Sequence, residues 1–120
     1  MNEVKLHVEN IEAFMKRTKE MARKLDRGER RRNKAHLSFE NMESLLRVLT
    51  PNRWVLLRTL RGSGATSIRA LAKALERDYR GVHADAMALI EAGLIDRDES
   101  GSISVPWSRI TAEMALDIAA

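Results

Sequence analysis

The sequence predicts a mainly α protein of α+β type. At its centre stand two helices joined by a tight polar turn and followed by a two-stranded ribbon. Three observations lead there. Ile68, Leu71, Ala72 and Leu75 fall at i, i+3, i+4 and i+7, which puts four apolar side chains on one helical face. After the polar joint Glu76-Arg77-Asp78, the residues Val82, Ala86, Leu89 and Ile90 repeat that spacing up to Gly93, which tolerates the left-handed conformation that ends many helices. Residues 94–98 and 102–105 then read as strands joined at Glu99-Ser100-Gly101. Helix, turn, helix and hairpin in that order make a winged helix-turn-helix, here preceded by an N-terminal strand-helix-strand arm.

The arm begins with Val4-Lys5-Leu6-His7-Val8, whose alternation suits a half-buried strand. Asn10 is placed to cap a helix whose Ile11, Phe14, Met15, Thr18, Met21, Ala22 and Leu25 share one face. Such a stripe needs a partner, either the rest of the chain or a second copy. Gly28-Glu29-Arg30-Arg31-Arg32-Asn33-Lys34 breaks the pattern. It reads as a solvated linker or as an arm that follows a phosphate backbone. Residues 35–40 alternate again and form a second strand, to be paired with residues 4–8 within one chain or across a dimer. The natural division falls here: residues 1–40 as an arm for dimerisation or partner binding, residues 41–120 as the helical module.

In the module, Asn41 caps a short helix bearing Met42, Leu45, Leu46 and Leu49. Thr50 and Pro51 resemble an N-cap and first helical residue. They open a helix to about Arg61, with Trp54, Val55, Leu56, Leu57 and Leu60 on its buried side. Residues 62–66 read as a flexible turn and Ser67 as the next cap. Beyond the hairpin, Trp107 and Ile110 are expected to lock an Ala-rich terminal helix onto the module.

Composition narrows the function classes. The chain has 120 residues, 44% of them hydrophobic and only five aromatic, so its core is aliphatic. It lacks cysteine, which removes disulfides and thiolate metal sites and fits a reducing compartment. No apolar run reaches the roughly 18–20 residues of a membrane helix, and no signal-peptide block opens the chain. The expectation is a cytoplasmic protein without membrane contact. The net charge is +4, but residues 1–36 hold eleven Lys/Arg against six Asp/Glu, while residues 37–120 hold ten against eleven. The basicity thus belongs to the arm.

Catalysis finds no support. His7, His36 and His83 are scattered, and neither a glycine-rich phosphate loop nor a metal-ligand cluster is present. No enzymatic activity, metal or cofactor is expected.

In a helix-turn-helix the second helix enters the major groove, its N-terminal residues meeting base edges. With Val82, Ala86 and Leu89 facing the core, Tyr79, Arg80, His83 and Ala84 lie on or near the outer face. Arg80 is the leading base reader, because a guanidinium can bond guanine O6 and N7 together. His83 suits a base or a phosphate, and Tyr79 a phosphate. Arg69 and Lys73 on the first helix and Arg77 in the joint suit phosphates. The ribbon tip carries three acids, which leaves Arg97 as its one DNA contact. Gly81 adds flexibility and offers no side chain.

Residues from about Phe39 to Ile110 resemble prokaryotic MarR/ArsR-like winged-helix transcriptional regulators. The resemblance rests on LTP-x-RW-x-LL-x-x-L, on LA-x-x-L-x-RDY-x-x-VH-x-D, and on GLI-x-RDE-x-G-x-x-x-VPW. It implies DNA binding through Tyr79, Arg80 and His83. Because some members accompany small toxins as antitoxin and repressor, it also implies a toxin protein as a partner of the N-terminal part. Gly81 and Ala84 depart from the group, where a polar and a basic residue are expected. The reading is therefore a dimeric, sequence-specific repressor of double-stranded DNA, in its narrower form an autoregulating antitoxin. The near-neutral module and acidic ribbon leave an alternative, a protein-interaction module that neutralises a partner through the arm.

Overall fold

The computed structural model describes residues 2–9, 15, 16, 19, 20 and 34–114. Along the chain run β1 (Glu3–Val8), β2 (Lys34–Phe39), α1 (Met42–Val48), α2 (Pro51–Ser63), α3 (Ile68–Leu75), α4 (Tyr79–Ala92), β3 (Asp96–Arg97), β4 (Ile103–Ser104) and β5 (Arg109–Ala112). The class is α+β. The chain divides into a sheet unit, Met1–Leu45 with Trp107–Ala120, and a helical unit, Leu46–Pro106. No helix among the described residues is long and apolar enough to cross a membrane. The expected face of Ile11, Phe14, Thr18, Met21, Ala22 and Leu25, the Arg-rich linker, and any helix past residue 114 lie outside the described residues. Met15 is exposed.

The sheet unit is a three-stranded sheet of order β2-β1-β5, with both outer strands parallel to β1. The two N-terminal strands pair within one chain. Val4 stands opposite Ala35 and Ile110, and Leu6 opposite Leu37 and Ala112. Side chains alternate along a strand, so these residues make an apolar face on which Val4 and Leu6 are fully buried. The other face is polar. There Lys5 Nζ pairs with Glu113 Oε1 at 2.8 Å. His7 Nε2 lies 3.0 Å from Ser38 Oγ and 3.1 Å from Glu9 Oε2.

β5 replaces the start of the expected terminal helix. Residues 109–112 are a strand whose Ile110 pairs with Val4, and Trp107 and Ile110 belong to the sheet unit. The strand is anchored at both ends: the Ser108 N–H and hydroxyl donate to the Asn2 carbonyl, and the Glu113 N–H donates to the Leu6 carbonyl.

In the helical unit Thr50 and Ser67 cap helices as the sequence predicts, and Asp78, read as part of the joint, is a third cap. Thr50 Oγ1 accepts from the Arg53 N–H, Ser67 Oγ from the Ala70 N–H, and Asp78 Oδ2 from the Arg80 N–H. Each satisfies one of the orphan donors of a first helical turn. Leu56, Leu57 and Leu60 of α2, Ile68, Leu71 and Ala72 of α3, and Val82, Ala86 and Leu89 of α4 are buried. Trp54 and Val55 are not, at 40% and 41% exposed. The run Trp54–Leu57 covers a full helical turn, and only part of a turn can face a core.

Both α3 and α4 end by the same device. The Glu76 and Arg77 N–H groups return to the Lys73 and Ala72 carbonyls, and the Gly93 and Leu94 N–H groups to Ile90 and Leu89. This pattern requires a left-handed residue at the stop. Gly93 takes that conformation freely, whereas at α3 it is taken by Glu76, with φ 53°.

The ribbon is shorter than expected, two residues per strand, and it has a third member. Thr66, expected in a flexible turn, exchanges both backbone hydrogen bonds with Ile103, at 3.0 and 2.7 Å. Leu94, Ile95 and Ile103 are buried beside it.

Candidate functional site

The joint between α3 and α4 brings the expected contact residues together. Asp78 caps α4, so the helix starts at Tyr79, with Arg80 beside it. The Tyr79 ring lies 5.7 Å from the His83 ring, one helical turn on. From α3, the Arg69 guanidinium sits 4.7 Å from the Tyr79 ring centroid, a cation–π distance. Lys73 is exposed one turn beyond Arg69 on α3. Arg80 is exposed, and its guanidinium makes no hydrogen bond or ion pair among the described residues. Helical spacing continues the Tyr79–His83 face to Met87, about 12 Å along α4. There Arg97 reaches over from β3, its Nη1 3.8 Å from Met87 Sδ. The exposed face of α4 thus has Arg69 and Arg80 at its N-terminal end and Arg97 two turns further along.

Arg77 stands apart from this set. Its Nη2 donates to Asp85 Oδ2 at 2.9 Å, and its Nη1 is shut off from solvent with no hydrogen-bond partner. Asp85 accepts a second guanidinium on its other oxygen, from Arg53 Nε at 3.1 Å. Arg53 Nη1 in turn donates to the Arg47 and Val48 carbonyls at the end of α1. Asp85 is the least exposed of the three, at 17%. Gly81 acquires a reason here: a β-carbon at this position would stand 3.3 Å from Arg77 Nη2.

Arg53 and Asp85 were not among the residues expected to matter, and Gly81 was singled out only as a missing contact. The signal was present in the LTP-x-RW and VH-x-D runs, where a charged residue recurs beside the apolar spacing without an i,i+4 partner of its own.

The acidic ribbon tip is ordered by one of its own carboxylates. The Asp98 carboxylate points into its own turn, accepting from the Ser100 hydroxyl at 2.6 Å and from the Ser100 and Ser102 N–H groups at 2.9 and 3.0 Å. These bonds, the Ser100 hydroxyl first, hold its pKa below the ordinary aspartate value.

On the polar face of the sheet, Glu3, Lys5, His36, Thr111 and Glu113 line an open depression of about 290 Å³. Among the described residues no cluster of His, Asp and Glu is arranged to hold a metal ion.

Neither the curated proteins nor the solved structures include a match to this chain. The model of the HVO_A0114 family matches residues 48–112, a stretch that runs from the end of α1 to β5 and contains every contact residue named above. With more than half of its length matched, the chain belongs to the HVO_A0114 family.

Proposed function

We propose that the chain is a sequence-specific, DNA-binding transcriptional regulator whose helical unit works as a winged helix-turn-helix. The observation that carries this reading is the face of α4: Tyr79, Arg80 and His83 at its N-terminal turns, with Arg69 and Arg97 flanking them. An exposed, unpaired guanidinium on the first turn of such a helix suits a guanine edge, and the flanking cations suit phosphates. The order of elements supports the same reading. α2, the Thr66 bridge, α3, α4, β3 and β4 follow one another as helix, strand, helix, helix and two-stranded wing.

In this reading the protein is a cytoplasmic repressor acting as a homodimer, with dimer symmetry selecting a palindromic operator. Gel shift on the DNA upstream of its own gene tests it. Wild type is expected to give a specific complex that Arg80→Ala weakens about tenfold, the worth of one good base contact, and His83→Ala weakens less. Undiminished specific binding by both variants would remove the α4 face as the reading surface.

The sequence resemblance favours an autoregulating antitoxin within this class. Its test is co-purification of the tagged chain with the product of a neighbouring gene. The balance of charge, with residues 37–120 near neutral, favours the alternative in which the helical unit is a scaffold and the arm neutralises a partner. A partner recovered from a chain that binds no DNA would select it.

A further inference from the structure

We propose that Arg53, Arg77, Gly81 and Asp85 form the device that fixes the rotation of α4 for base reading, so that Arg77 is a positioning residue and not a phosphate contact. The inference rests on the DNA-binding reading above and adds to it residues that touch no DNA.

The geometry of Asp85 carries it. One carboxylate takes one guanidinium on each oxygen, Arg53 from α2 and Arg77 from the joint before α4. A helix held by two charged bonds from different elements cannot roll without breaking one of them. Arg53 extends the hold to the last carbonyls of α1. Rotation matters because side chains lie about 5–6 Å from a helix axis, so a roll of about 20° moves them by about 2 Å. That is enough to lose a hydrogen bond to a base edge.

Arg77 is poorly placed for a phosphate, since its Nη2 is engaged and its Nη1 has no access to solvent. Among the cations of α3, the joint and α4, Arg69, Lys73 and Arg80 are the exposed ones. Gly81 completes the device. A β-carbon here would stand 3.3 Å from Nη2, so the guanidinium would have to give by a few tenths of an ångström, at the expense of its bond to Asp85. The departure at Gly81 that looks like a gap in the reading face is therefore the seat of Arg77.

The sign of one substitution separates positioning from charge. Asp85→Asn removes an acid, so electrostatics alone predicts equal or tighter DNA binding, whereas loss of positioning predicts weaker binding. The probe is the duplex that the wild-type chain selects from a random-sequence library, with poly(dI-dC) as the nonspecific control. Each variant is measured well below its own melting temperature, with the active fraction titrated.

Asp85→Asn and the charge-conserving Arg77→Lys are each expected to weaken the selected duplex about tenfold, comparable to one mismatched base pair, with poly(dI-dC) binding unchanged. Gly81→Ala is expected to weaken it less, and to have no effect in the Arg77→Ala background. Tighter or unchanged specific binding by Asp85→Asn overturns the proposal. So does wild-type affinity in Arg77→Lys, or a Gly81→Ala loss that persists without Arg77. A wild-type chain that selects no duplex removes the DNA-binding reading itself, and this proposal with it.

Discussion

The sheet unit and the helical unit reach their structures by opposite routes. In the helical unit the interactions that start each helix are short in sequence: Thr50, Ser67 and Asp78 each cap a helix within three residues of themselves. In the sheet unit they are long. His7 meets Ser38 across 31 residues, and Asn2 meets Ser108 across 106. Local interactions specify an element even when their neighbours are removed, whereas β1 acquires its partners only when distant chain returns to it. The helical unit should therefore absorb single losses that the sheet unit does not.

The sharpest way to break this contrast is Leu6→Ala. Leu6 is fully buried at the centre of β1, and its truncation is expected to cost about 3 kcal/mol. The chain supplies a reporter in each unit, Trp107 in the sheet unit and Trp54 in the helical unit. Denaturant melts of Leu6→Ala in Trp54→Phe and Trp107→Phe backgrounds are expected to show the larger shift at Trp107. Equal shifts would merge the two units into one cooperative transition.

Asp85→Ala is the corresponding blow to the helical unit. It leaves two partly buried guanidinium groups unpaired, and about 2 kcal/mol of stability should be lost. Thermal melting followed by helical circular dichroism measures it. Arg53→Ala and Asp85→Ala are expected to be non-additive, because they remove the same bond.

Smaller and of opposite sign is Glu76→Gly. Glu76 occupies the left-handed stop of α3 that Gly93 occupies at the end of α4. Glycine there should stabilise the helical unit by about 0.5–1 kcal/mol, seen as a raised melting temperature. A fall would mean that the Glu76 side chain contributes more than its backbone costs.

The mildest effect is a pH dependence confined to the ribbon. The folded pKa of Asp98 lies below its ordinary value, so its contribution is present above that ordinary value and is lost as pH falls through the folded one. Acid titration followed by the amide resonances of Ser100 and Ser102 should report opening of the turn, and Asp98→Asn should abolish that response.

The same contrast explains what could be read from the sequence. Caps, stops and apolar spacing are local, so α1 to α4 were legible almost to the residue, and the hairpin was legible in its place though not in the length of its strands. The pairing of residues 4–8 with 35–40 was legible as two alternating runs. β5 was not, although Arg109-Ile110-Thr111-Ala112 alternates, because the alanines after it favour a helix and its partner lies a whole chain away. The Thr66 bridge is a single residue and leaves no pattern. Within the candidate site, Tyr79, Arg80, His83 and Arg69 followed from helical geometry, and Arg97 from being the one cation of the ribbon tip. Arg77 was assigned by charge alone, and only its distance to Asp85 reveals its engagement. Gly81 looked like a missing contact because the sequence does not say what lies over it.

The return of β5 to β1 also sets an order of events during synthesis. The helical unit lies between β2 and β5 in the chain, so all of it leaves the ribosome before the last strand of the sheet does. At about 5–20 residues per second, roughly 5–20 s separate the emergence of β1 from that of β5. During that interval one edge of β1 has no strand to pair with, while α2 to α4 can already close on one another. An unpaired strand edge is a template for other chains. A newborn molecule is therefore most exposed to misassembly at β1, and β5 acts as the stopper.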